Sequence, residues 1–205
     1  MNRLFRIGLT LLPALLLAAC ATTQAPPTTD GRPTGADWRE HAARVVTLQD
    51  WYLKGRIAIQ TVDNSGTASL YWRQQGDAFN LRVVAPFGQG TVELSGSEDG
   101  SVTLVDSENR TYTAPDPESL MQERLGWSVP VTSLKYWVRG LPARQGEITA
   151  ATPDGQGRIR SLEQMGWHIA VNEYTRALDR DLPRKLEVSH EQFEARLVVQ
   201  SWATP

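Results

Sequence analysis

The 205-residue sequence predicts a mainly β fold, an incomplete antiparallel β-barrel of about ten or eleven strands covered by three short α-helices. Three observations predict it. From Leu53 to Leu104, apolar and polar residues alternate in short runs separated by turns rich in Gly, Asp and Asn, the pattern of half-buried antiparallel strands. Between Asp116 and Pro142 the period lengthens to that of helices, and alternation then resumes to the carboxy terminus. Helices that interrupt a strand series once form a cap over a curved sheet, whereas βαβ units would place one after every strand.

The amino terminus, MNRLFRIGLTLLPALLLAAC, carries Arg3 and Arg6 ahead of an apolar run from Ile7 to Ala19. It reads as a signal peptide over residues 1–19, too short for a membrane-spanning helix. Its end, LAAC, resembles the lipobox of bacterial lipoproteins, which implies cleavage before Cys20 and lipidation of that thiol. Ala21, where aspartate often favours inner-membrane retention, implies an outer-membrane destination by the same resemblance. Cys20 is the sole cysteine, so no intramolecular disulfide can form and the fold must rest on its core. Residues 20–35, rich in Thr, Pro and Gly, predict a flexible tether, and residues 36–205 a single domain. The formal charge is -2 for the whole chain and about -4 without the signal peptide, which argues against a nucleic-acid partner. Anchoring must then come from acyl chains rather than from a basic face.

Within the domain, ADWREHAARVVTLQDW places Trp38, Val45, Val46 and Leu48 at spacings suited to an amphipathic helix. Leu53, Ile57 and Ile59 then share one parity, followed by Ala68, Leu70 and Trp72, by Phe79, Leu81, Val83 and Ala85, by Val92 and Leu94, and by Val102 and Leu104. Asp116 is a helix cap with Pro117 at the first helical position and Gly126 at the stop. A third helix follows from Leu134, Trp137, Val138 and Leu141, ending near Gly140 and Pro142. Strands resume in GRIRSLEQ, GWHIAVNEY, RKLEVSH and FEARLVVQSW, the last with Phe193, Ala195, Leu197 and Val199 on one face. Candidates for an acyl cavity or core are Leu70, Trp72, Leu81, Val83, Leu94, Leu104, Leu134, Trp137, Trp167, Ile169, Phe193 and Leu197. Periodicity leaves open whether they fill a core or line a hollow.

Catalytic signatures are missing. His41, His168 and His190 are far apart in sequence, and neither HExxH nor GxSxG occurs. The expectation is a protein that is not an enzyme and that uses no metal and no cofactor. One stretch stands out instead. VVAPFGQG, residues 83–90, sets Phe87 in a turn between two strands. Pro86 fixes φ, and Gly88 and Gly90 relieve the steric limits of the turn, which together can hold Phe87 outward.

The lipobox at Cys20, DWREHAARVVTLQDW, LRVVAPFGQGTVEL, VTLVDSENRTYTA and SLKYWVRGLP occur in an order that resembles the LolB family of outer-membrane lipoprotein receptors. That resemblance implies an incomplete barrel with an apolar cavity for acyl chains. It also implies a protein that accepts outer-membrane-destined lipoproteins from the carrier LolA without chemistry and promotes their insertion into outer-membrane phospholipid. It identifies Pro86, Phe87 and Gly88 as the membrane-insertion loop, with Phe87 where the family carries leucine. A monomer is the simpler expectation. The alternative reading is a periplasm-facing lipoprotein that binds a small lipid.

Overall fold

The computed structural model describes residues 31–88, 90–97, 100–191 and 193–205. The signal peptide, Cys20 and the tether as far as Asp30 lie outside the described residues. Helix α1 (Ala36–Val46) leads into β1 (Trp51–Gln60), β2 (Ser65–Gln75), β3 (Ala78–Val84), β4 (Thr91–Gly96), β5 (Val102–Val105) and β6 (Thr111–Ala114). Helices α2 (Pro117–Leu125) and α3 (Val131–Trp137) follow. The chain then runs through β7 (Ile148–Pro153), β8 (Ile159–Gln164), β9 (Trp167–Ala177), β10 (Arg180–His190) and β11 (Phe193–Ala203).

Among the described residues, eleven strands form one antiparallel sheet in the order β6-β5-β4-β3-β2-β1-β11-β10-β9-β8-β7. Two meanders are therefore joined by a seam where the first strand pairs with the last. A bulge at Lys54/Gly55 bends that seam, and only glycine fits there, because a Cβ on Gly55 would lie 2.7 Å from the Val198 carbonyl oxygen. The sheet stays open between β6 and β7, and the segment that connects these edges carries α2 and α3. Such an arrangement follows from the sequence pattern: the helices fall between the two strand series, so they cover the gap.

Both edge strands escaped the reading by alternation. β6 is half exposed along its length and β7 buries little beyond Ile148, so neither carries a clean apolar parity. Their hairpins share a device that the sequence conceals. Asp106 Oδ1 accepts from the amides of Glu108 (2.8 Å) and Arg110 (3.0 Å), and its Oδ2 from Arg110 Nε (2.8 Å). Asp154 repeats this with Gln156 (2.9 Å), Arg158 (3.0 Å) and Arg158 Nε (2.8 Å). An Asp-x-x-x-Arg clamp thus closes each edge hairpin.

Helix α1 packs against β10, burying His41 and Val45. Val46 is not part of that face: the helix ends there and leaves it 41 % exposed, while Leu48 reaches the core from the following turn. The chain is against the fold earlier than the tether boundary suggests. Pro33 is buried, and Gly31 lies so close to Ile148 that a Cβ would meet its carbonyl oxygen at 2.1 Å. Helix α2 starts as its sequence predicts, with the Asp116 carboxylate accepting from the Ser119 amide at 2.7 Å, and ends at Gly126 in the left-handed region.

Candidate functional site

Strand register fixes one end of the barrel as a rim. Gln60 pairs with Glu194, Ser189 with both Glu194 and His168, and His168 with Glu163. The turns that begin at Thr61, Ala85, Asp106, Met165 and Glu191 lie at this end, and so does Ile148, paired with Gln164. Opposite it, Trp51, Trp72 and Trp202 close the barrel floor, with ring centroids 5.0 Å and 5.3 Å apart around Trp51. Gln74 supports this floor. Its Oε1 accepts from Trp72 Nε1 at 3.0 Å while its Nε2 donates to the carbonyls of Gly76 and Ala78.

Between floor and cover lies an apolar hollow of about 130 Å³. Of the sequence candidates, Leu70, Trp72, Leu81, Val83, Leu94, Leu104, Leu134, Phe193 and Leu197 line it. Trp137, Trp167 and Ile169 do not; they are buried in the core, with Trp137 and Trp167 rings 6.0 Å apart. Alternation missed the contribution of the cover. Met121 and Leu125, one turn apart on α2, were detectable as an i, i+4 pair, whereas Trp127 and Val129 lie in the α2–α3 linker, which has no period. All of these line the hollow, as do Ile57, Ile59 and Val92.

Burial along the strands shows which way the hollow faces. Leu53 is sealed while Ile57 and Ile59 are half exposed, Trp72 and Leu70 are sealed while Ala68 is half exposed, and Val199 and Leu197 give way to Ala195 and Phe193. Accessibility rises towards the rim on each of these neighbouring strands, so the mouth is there.

At that mouth the β3–β4 loop makes a single 3-10 turn over Pro86–Gly88. Phe87 is 98 % exposed. Its own backbone sits in the left-handed region at φ 55°, followed by Gly88 at φ 73°. A bulky residue in that region costs about 1–2 kcal/mol. Pro86 and Gly88 flank Phe87 as the sequence expects, yet the turn also bends at Phe87 itself.

Polar groups near the cover serve to hold it. Gln164, fully buried, accepts from Trp137 Nε1 and the Ala143 amide at 2.9 Å each, and donates to the carbonyls of Ala143 (3.1 Å) and Gln145 (3.0 Å). Arg139 donates to the Leu48 carbonyl at 2.5 Å and the Lys135 carbonyl at 2.7 Å. Burial lowers the Arg139 pKa to about 10, so it stays cationic at neutral pH. Lys135 reaches Asp77 at 2.6 Å. His168 is exposed and its Nδ1 lies 2.5 Å from Glu163 Oε1. Among the described residues no group of His, Cys, Asp and Glu is placed to hold a metal, and no helix is long and apolar enough to cross a membrane.

A curved antiparallel sheet with a helical cover, an apolar hollow and an apolar loop at its mouth defines a class of open half-barrel proteins. The chain belongs to the LolB family, whose model, outer membrane lipoprotein LolB, matches residues 49–202. It is 39 % identical over 197 residues to the outer-membrane lipoprotein LolB of Chromohalobacter salexigens, covering 96 % of this chain and 90 % of that relative. With the outer-membrane lipoprotein LolB of Pseudomonas putida it shares 36 % identity over 187 residues, 91 % of this chain and 90 % of the relative. Among solved structures, a LolA superfamily protein from Nitrosomonas europaea aligns with TM-score 0.51 at 8 % identity, covering 83 % of this chain and 94 % of that one. The shared fold is an open half-barrel, as the strand pattern predicts.

Proposed function

We propose that this protein is an outer-membrane lipoprotein receptor, lipidated at Cys20, that accepts lipoproteins from the carrier LolA and passes them into the membrane. The observation that carries the reading is the opening of an apolar hollow at the same strand ends as the exposed Phe87. An acyl chain of roughly 15 methylenes loses on the order of 12 kcal/mol when it leaves an apolar host for water. Transfer therefore proceeds by contact between hosts, each holding the tail more favourably than the last. Phe87 gains about 1.5–3 kcal/mol on entering a bilayer, enough to bias contact and too little to anchor the protein. The Cys20 lipid supplies the anchor. Gly31 abuts Ile148 at the rim, and no more than about 40 Å of chain separates Cys20 from Gly31 at full extension, so the mouth stays near the bilayer.

The test is reconstitution with a LolA–lipoprotein complex, following cargo first to this protein and then to liposomes. Wild type takes and delivers cargo; Phe87→Glu takes it and fails to deliver. Normal delivery by the folded variant removes the role of Phe87, and no uptake by wild type removes the receptor reading.

A further inference from the structure

The hollow is smaller than its proposed guest. A dry cavity of about 150 Å³ admits a molecule the size of benzene, so the 130 Å³ here takes about six carbons of a tail. The remainder needs a path, and only the rim end is open to one. A second depression lies there, formed by Ala68 and Ser65 of β2, Asn64 before it, and Ala85 and Pro86 of the Phe87 loop. It shares three side chains with the hollow: Ile57, Ile59 and Trp127.

We propose that the acyl-tail site has two parts, the inner hollow and this outer groove beneath Pro86, and that Trp127 is the gate between them. The proposal rests on the receptor reading above. Trp127 suits a gate because of where it is and how it is held. It follows Gly126, whose left-handed backbone ends α2, and so rides on the linker rather than on a helix. Its ring meets Phe193 at 5.2 Å, an apolar contact that costs little to part and remake around a methylene chain. Helix α3 and the turn after it are tied down by polar contacts: Lys135 to Asp77, Arg139 to Leu48, and Trp137 to Gln164. The linker that carries Trp127 over the shared wall is thus held by apolar contact where α3 is held by polar ones. A tail seated in the hollow would emerge past Trp127 and lie along the groove to the base of the Phe87 loop, so its carbonyl end sits at the bilayer-facing rim.

Binding of saturated fatty acids of increasing length to the delipidated protein tests this. A buried methylene strengthens binding about fourfold. Wild-type affinity is expected to keep rising well beyond about six carbons. Ala68→Trp, at a position that lines the groove and not the hollow, should rise with wild type for short acids and then level off, weakening the longest at least tenfold. Trp127→Ala should release long acids at least tenfold faster than wild type, with thermal melting confirming that both variants fold. Parallel length dependence in wild type and Ala68→Trp overturns the two-part site, and equal release rates from Trp127→Ala overturn the gate. Failure of wild type to bind any acid overturns the receptor reading itself.

Discussion

Phe87 concentrates two opposed demands on one residue. Its side chain makes almost no contact, so it adds nothing to packing, and its left-handed backbone is unfavourable for a bulky residue. Asparagine tolerates that conformation. Phe87→Asn is therefore expected to stabilise the fold by about 1 kcal/mol, a rise in Tm of about 2–4 °C for a domain of this size, while abolishing delivery to liposomes. A melting curve beside a transfer assay checks both halves. His41 makes a second case. It is buried, its Nε2 has no hydrogen-bond partner, and burial holds its pKa below the usual 6.5, with Asp181 opposing the shift and Arg158 and Arg44 reinforcing it. The unfolded chain then binds the proton that the folded one refuses, so stability falls as pH drops below about 6.5. His41→Leu should flatten that fall, as chemical denaturation across the window would show.

Elements are positioned by a few buried polar side chains as much as by the apolar core. Gln164 at the end of β8 ties α3 and the segment after it to the sheet through hydrogen bonds to Trp137, Ala143 and Gln145. Gln164→Leu leaves the Trp137 Nε1 and Ala143 groups buried without partners, each costing about 1–3 kcal/mol, and it should destabilise the protein by about 2–4 kcal/mol in urea unfolding. Removing the α2 cap with Asp116→Ala, by contrast, should cost only about 1 kcal/mol. Much at this scale was legible in advance. Asp116, Pro117 and Gly126 mark α2 correctly because capping depends on adjacent residues alone. β6 and β7 were not legible, since edge strands bury too little of either face to impose alternation. Trp127 belongs to neither class, for an irregular linker has no period to read.

For the whole molecule, the open seam between β6 and β7 and the charge distribution matter most. Asp63, Asp106, Glu108, Glu163, Glu191 and Glu194 stand at strand ends on the rim, and two cations there, Arg110 and Arg196, are paired with Asp106 and Glu194. Contact with a bilayer must then be apolar rather than electrostatic. Delivery to zwitterionic vesicles is expected to equal or exceed delivery to anionic ones at low salt, and faster transfer to anionic vesicles would contradict a rim-first approach. Local order in the chain determined the strands other than β6 and β7, the start and stop of α2 and the apolar type of Phe87, because each depends on neighbours within a few residues. Only the tertiary structure decided that Leu70 and Phe193 line a hollow while Trp137, Trp167 and Ile169 fill a core. The parity of a strand says which face a side chain takes, but whether that face meets other side chains or empty space depends on how far the sheet curves and where the helices settle above it.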